Sequence, residues 1–490
     1  MIRTRYLVLA VITGGLVAAW VLAPRLHHSF PSLVDDWGAI ESAPQQVRSV
    51  LTLGNPEIVR YRPGYILWSG LIWHTFGAPT NFAGPQIWNG LRVLLFVAGL
   101  VLPAALLTRR AASAGVHELG RWLLVVSVPI VVVTMPRLTV DLARYGPQEP
   151  LLVGCMGVGG TLIVLALDRL LASRGRRWTT LALACAGLVL WAFGVIQKET
   201  SLSALVVLPF LWPTARAQGA RWARLDRPSR TAVLALGCAA ALPFVPILVR
   251  TAQLVLTNSL VGDAQVDTGS GALRNLWAQA ALTDDVLRTP AATAVAVAAV
   301  AAVSAAIVLH RADWVSAGLL AAALASILFA AESGIVVSRY YIPAVTLATL
   351  ALVRAGVELG RRAAVALALA LILIGLAQVR FARDEVSAWV QEERTQESAV
   401  RDAAGLVAGG CAVRVTGRDV ELVAALPVLM PLAAEPPRRC RPGQRFVVVL
   451  DWHGPGTSTT GNDAILRACH PVGLVVRFGS VARRVRCGVR

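Results

Sequence analysis

Apolar residues in this chain gather into long unbroken stretches, separated by short polar segments rich in arginine. A membrane-spanning helix needs roughly 20 predominantly apolar residues. Eleven stretches approach that requirement: about 6–24, 86–107, 122–137, 150–167, 179–196, 201–214, 231–249, 291–309, 314–331, 340–354 and 363–379. The pattern predicts an all-α polytopic membrane protein, with these spans as transmembrane helices of one domain over residues 1–380. Beyond 380 the pattern changes. A charged helical stretch, ARDEVSAWVQEERTQESAVRDAAGLV, leads to candidate strands in CAVRVTG, RFVVVLDW and VGLVVRFG, separated by Pro and Gly turns. Residues 381–490 are therefore expected to form a small α/β or mostly β domain.

Composition agrees with the pattern. Of 490 residues, 56% are hydrophobic and 15% charged, whereas soluble domains carry about 25% charged side chains. Those values exclude intrinsic disorder, a coiled coil and a small disulfide scaffold. A net charge of +18 would suggest nucleic-acid binding in a soluble chain, but here the position of the charge decides. With the N-terminus inside, the cytoplasmic loops hold 18 basic residues, Arg3 to Arg362, against five acids, Glu118, Asp168, Asp226, Asp313 and Glu358. That asymmetry sets orientation and implies no nucleic-acid partner. The expected location is the plasma (inner) membrane, with the N-terminus cytoplasmic and the tail extracytoplasmic. Arg3 and Arg5 also suit a signal peptide, yet the following apolar run exceeds the usual 7–15 residues of about one, which favours an uncleaved helix. Four of the seven cysteines, Cys411, Cys440, Cys469 and Cys487, fall in the tail. They suggest two disulfides with three pairings open, and the lack of a CxxC spacing disfavours zinc.

Ionisable residues avoid the middle of the spans and collect at their outer ends. The first outer loop, about 25–85, opens with Asp35 and Asp36 and continues through Arg60-Tyr61-Arg62-Pro63. A short apolar-aromatic run comes next, ILWSGLIWHTFG, expected as an interfacial helix with Trp68 and Trp73 at headgroup level. The second outer loop, 137–149, crowds Asp141, Arg144, Tyr145, Gln148 and Glu149 together. Lys198, the only lysine among 46 basic residues, lies in the tight connection Gln197-Lys198-Glu199-Thr200. Its retention points to a compact charge acting on phosphate or carboxylate, and Glu199 stands beside it as a ready partner. Arg339 lies in Ser338-Arg339-Tyr340-Tyr341-Ile342-Pro343, at the mouth of the tenth span. No Walker A motif, helix-opening GxGxxG or HExxH occurs.

Taken together, the Asp-Asp after the first span, the Arg-Tyr-Arg-Pro, the Lys-Glu connection, Glu149 and the late Ser-Arg-Tyr-Tyr-x-Pro resemble the GT-C glycosyltransferases. The likeness is to protein O-mannosyltransferase-like and arabinosyl- or aminoarabinose-transferase-like enzymes, and it covers about residues 1–380. It implies a membrane enzyme that moves a hexose or pentose from a polyprenyl-phosphate donor, with inversion. The acceptor would be a cell-envelope glycan, lipid or protein. By the same resemblance Asp35 or Asp36 is the catalytic base, and Arg60, Arg62, Lys198 and Arg339 hold the donor phosphate. Asp141, Arg144 and Glu149 would position the acceptor or a divalent cation. Some members use Mg or Mn, but this sequence has no DxD to demand one.

Two other classes fit the same spans. A lipid-carrier flippase or transporter would need charges crossing the membrane, and a non-catalytic scaffold would act through its tail. The orientation itself is directly testable: a reporter active only in the cytoplasm should work when inserted at Gly175 and fail at the C-terminus. The reverse result would invert the assigned sidedness.

Overall fold

The structure is a computed structural model. It describes residues 4–26, 62–75, 83–109, 117–172, 177–211, 219–223, 225–257, 286, 289–309, 314–332 and 338–409, together with strand segments at 412–417, 445–450, 452–453, 474–476, 478–479 and 484–486. Asp35, Asp36, Arg60 and the four tail cysteines lie outside the described residues.

The helices in chain order are α1 (Thr4–Leu26), α2 (Pro63–Thr75), α3 (Ala83–Leu107), α4 (Glu118–Val133), α5 (Leu138–Ala143), α6 (Glu149–Leu171) and α7 (Arg177–Val195). A 3-10 helix over Glu199–Val207 comes next. Then come α8 (Gly219–Ala223), α9 (Arg227–Ala241), α10 (Phe244–Thr257), α11 (Pro290–Val308), α12 (Val315–Glu332), α13 (Tyr341–Leu359) and α14 (Arg361–Ala408). Among the described residues, eight helical segments are long and apolar enough to cross a membrane. Two shorter apolar helices, Glu199–Leu211 and Val315–Phe329, fall on predicted spans, and α4 occupies another with 16 residues. The result is the architecture of an all-α polytopic membrane protein.

Every residue of α4 from Leu124 to Val133 is buried, so this part of the helix faces protein on all sides. It packs against α1, α3, α13 and α14. Helix α6 makes a different kind of contact. Its glycines let two backbones approach closely, as small residues do in membranes. A Cβ on Gly99 of α3 would sit 2.5 Å from the Cα of Gly154, and one on Gly159 would sit 2.5 Å from the backbone nitrogen of Trp191 in α7. The seam holds α6, and therefore Glu149 at its start, against α3 and α7.

The structure adds detail to three expectations. The boundary placed at 380/381 falls inside α14, one continuous helix of 48 residues, because the charged stretch extends the helical period instead of ending it. Gly360, at φ 103°, makes the turn that joins α13 to α14, a conformation that suits a residue without Cβ. The predicted interfacial helix forms as α2, and its Trp68 faces protein. It is 8% exposed and packs with Ile72, Leu151 and Cys155, edge-on to Trp88 at 5.3 Å. Third, the stretch at 201–214 begins as a 3-10 helix, a form that seldom runs beyond 3–4 residues.

Six short strands are described in the tail: β1 (Ala412–Gly417), β2 (Arg445–Leu450), β3 (Trp452–His453), β4 (Leu474–Val476), β5 (Phe478–Gly479) and β6 (Arg484–Arg486). β1 pairs with β2 in parallel, Ala412 opposite Arg445. β3 pairs with β5 in parallel, and β4 with β6 antiparallel.

The glycine seam predicts opposite outcomes for two substitutions on one helix. Gly99→Val forces α3 from α6 and should cost about 1–3 kcal/mol, the usual range for overpacking. Gly90→Ala should be neutral, since nothing lies within 4 Å of its added carbon. Thermal unfolding of the purified protein in lipid compares them, and equal midpoints would refute the close packing.

Candidate functional site

Four separated segments bring charged residues to the end of the bundle where α6 begins. Gln148 and Pro150 flank Glu149, whose proline neighbour suits the first turn of a helix because it has no N–H to satisfy. Helix α7 ends in the turn 196–198, and Lys198 is the extended residue that opens the 3-10 helix. Arg62 precedes α2. Arg339 and Tyr340 form a short 3-10 turn before α13.

The pairing within this cluster is crossed. Lys198 and Glu199, adjacent in sequence, do not satisfy each other. The Lys198 ammonium donates to Oε1 of Glu149, a pair buried to within a few per cent of complete. Glu199 instead accepts from Arg62, whose Nε lies 3.2 and 3.1 Å from the two carboxylate oxygens and whose Nη2 lies 3.0 Å from Oε2. The reason is geometric: consecutive residues at the start of a helix point in different directions. Each charge therefore reaches across to another segment and ties it in. A backbone bond from Gly64 to the Ile196 carbonyl, 3.0 Å long, docks α2 onto the same turn. The approach at Gly64 is close: a Cβ there would meet the amide of Gln197 at 2.6 Å and the backbone carbonyl carbon of Ile196 at 3.0 Å.

Tyr340 lies among the cations. Its ring centroid is 3.4 Å from the Lys198 ammonium and 5.6 Å from the Arg339 guanidinium, a cation–π arrangement. Burial by itself would raise the phenol; Lys198, Arg62 and Arg339 outweigh it and bring the group down to about 7. Arg62 shows the same contest with the opposite sign. Its burial favours the neutral form, but Glu199 overrides that and holds the guanidinium above its ordinary value.

Asp141 and Arg144 belong to a neighbouring cluster. They pair with each other at 3.5 Å in the loop 138–148, which three side chains hold through its carbonyl oxygens. Arg92, 1% exposed, donates to the carbonyls of Leu142 at 3.2 Å, Tyr145 at 3.1 Å and Pro147 at 2.6 Å, and also to that of Arg144. Asn89 donates to Leu142 and Ala143 at 3.2 and 3.3 Å. Arg25 donates to Ala143 at 3.2 Å and stacks between Tyr145 and Trp389, 4.4 and 5.0 Å from their rings. Sequence reasoning gives Arg25 and Arg92 no role in a site. The available signal was the lone cation within the apolar stretch 86–107, since a charge inside a span must find a partner.

The structure thus brings together Arg62, Glu149, Lys198 and Arg339, and sets Asp141 and Arg144 in the adjoining loop. The carboxylates offered to a divalent cation, Asp141 and Glu149, are each engaged by a cation of the chain itself. Among the described residues no three His, Cys, Asp or Glu side chains gather as metal ligands. The described residues do not fit a metal. Compared with protein-family models and with curated proteins, the chain matches none.

The Tyr340 environment predicts a pH dependence. Its phenol is brought down to about 7, below the unfolded value near 10, so the folded state favours the phenolate. That stabilisation is fully present above pH 10 and is lost as pH falls through about 7. Ultraviolet titration should show one of the six tyrosines ionising near neutrality, and Tyr340→Phe should remove that step. A wild-type titration with no step below pH 9 would refute the assignment.

Proposed function

We propose that the protein is an inverting glycosyltransferase, moving a sugar from a polyprenyl-phosphate donor to a cell-envelope glycan, lipid or protein acceptor at the outer membrane face. One observation carries this reading: Arg62, Glu149, Lys198 and Arg339, drawn from four distant segments, meet around Tyr340. Three cations at one membrane-facing rim suit a phosphate whose charge grows as it leaves, the electrostatic task that usually dominates such catalysis. Glu199 and Glu149 keep Arg62 and Lys198 neutralised before a donor arrives, since an unpaired buried charge is costly. Arg60 would join them from the preceding loop.

In the proposed reaction Asp35 or Asp36 takes the proton from an acceptor hydroxyl. That oxygen attacks the anomeric carbon from the face opposite the phosphate, and the bond from carbon to phosphate oxygen breaks with inversion. Polyprenyl phosphate departs with the electron pair and needs no strong general acid. Asp141 and Arg144, in the loop beside the cluster, are proposed to position the acceptor. The strands of the tail fit an extracytoplasmic α/β or β domain that comes after the catalytic helices.

The test uses the full chain in lipid vesicles with polyprenyl-phosphate sugars. Asp35→Asn and Asp36→Asn should abolish transfer in at least one case while leaving insertion and thermal stability unchanged. Full activity in both single variants would overturn the assignment of the base. Lys198→Arg should lower transfer about tenfold or more if a compact charge is needed; unchanged activity would make Lys198 a structural partner of Glu149 only.

A further inference from the structure

Several buried hydroxyls in this bundle are spent on their own helix. Ser127 donates to Leu124, Thr134 to Ile130, Thr161 to Gly157, Thr349 to Val345 and Ser203 to Thr200, at 2.7 to 2.8 Å. Thr200 and Ser201 depart from that habit. Their hydroxyls are buried and, among the described residues, have no hydrogen-bond partner. Ser326 and Thr346 share that condition singly, but Thr200 and Ser201 adjoin a third such residue. Gln197 is completely buried, and neither its amide nitrogen nor its oxygen is satisfied. Across the Lys198 ion pair, Oε2 of Glu149 and Oε1 of Gln148 are also buried without a partner. Six unsatisfied polar atoms therefore lie on two short segments, 148–149 and 197–201, that one ion pair binds together.

Native proteins seldom leave a buried polar atom unpaired, and each one costs roughly 1–3 kcal/mol. A concentration of six marks a place where something else supplies the bonds. The atom types narrow what that is. Two amide oxygens and a carboxylate oxygen can only accept; the Gln197 amide nitrogen can only donate; the two hydroxyls do either. A phosphate offers acceptors and would face three more acceptors. A pair of neighbouring hydroxyl groups donates and accepts at once, and meets the whole set.

We propose that Gln197, Thr200 and Ser201, with Gln148 and Glu149, form a subsite for vicinal hydroxyls of a sugar ring beside the cationic cluster. This rests on the glycosyl-transfer reading and adds to it a division of labour. The cations hold the phosphate, and the uncharged buried atoms discriminate the sugar. Gln197 is the specificity-determining residue, because its packing against Gly64 fixes the amide where α2 closes over the turn.

The experiment measures binding to the full chain in nanodiscs with three probes: decaprenyl phosphate, its arabinosyl and mannosyl esters, and octyl glycosides of the same sugars. The variants are Gln197→Met, Thr200→Val and Ser201→Ala. Each should leave the thermal midpoint of the free protein unchanged or higher, since it removes an unsatisfied group. Each should also erase about 3- to 10-fold of affinity for a hydroxyl-bearing probe while sparing decaprenyl phosphate. Loss confined to the glycosyl esters assigns the subsite to the donor sugar; loss confined to the octyl glycosides assigns it to the acceptor. A lowered midpoint in the free protein, unchanged affinities, or equal weakening of the bare phosphate would overturn the subsite. Wild-type protein that binds glycosides in a variant-sensitive way but neither prenyl phosphate would overturn the donor reading and keep the subsite. Binding of no probe would overturn both.

Discussion

The ion pair between Lys198 and Glu149 is the constraint on which this end of the molecule depends. Two full charges buried this deeply are tolerated only together, because removing either leaves the other to bear its desolvation alone, typically at 3–5 kcal/mol. The pair therefore fixes the start of α6 against the end of α7. Everything nearby depends on that registration. Glu199, turned away from its own neighbour, is left to hold Arg62, and Arg62 leads directly into α2. Tyr340 fills the face of the ammonium that Glu149 does not cover. Had Lys198 and Glu199 paired with each other, α2 and the turn before α13 would have lost their electrostatic tethers.

Beside that cluster stands a second device built on a different principle. Arg92, Asn89 and Arg25 neutralise nothing among the carbonyl groups they engage; they supply donors to the carbonyls that end α5 and to those of the loop after it. A buried loop is costly when such groups go unpaired, and one guanidinium, with five N–H groups, answers several carbonyls at once. The α4–α5 turn gains a further anchor where the backbone N–H of Arg137, held at a left-handed φ of 69°, donates to Glu385 at 2.9 Å. One loop is thus fixed by α1, α3 and α14 together. The two clusters share the bundle end but divide its tasks, one holding charge and the other holding shape.

Much of this was legible in the sequence, for physical reasons that differ by feature. The spans were readable because a bilayer demands long apolar runs, and α6 appears within a residue or two of its expected start. Lys198 was conspicuous because every other basic residue is arginine. Arg62, Glu149 and Arg339 could be singled out as charges at span ends, but their meeting could not, since no local rule links positions 62, 149, 198 and 339. The crossed pairing was invisible for the same reason: adjacency in sequence suggested a Lys198–Glu199 bond that backbone direction forbids. The protein neighbours of Trp68 were not legible, because an aromatic near an interface reads alike whether it faces lipid or protein. The glycines of α6 were visible as letters, yet their use appears only once Gly99 is opposite Gly154.

Helix α14 carries one more consequence. At 1.5 Å per residue its 48 residues measure about 70 Å, more than twice the roughly 30 Å of a hydrocarbon core. Its contacts with Arg25 and Arg144 through Trp389 lie near its midpoint, so the stretch after Trp389 extends as an indexed shaft. Each residue added or removed there would shift the distal end of the helix by about 1.5 Å and turn it by about 100°. Length changes in that stretch would act as a dial, re-aiming the chain beyond Ala408 in fixed steps while leaving the buried ion pairs untouched.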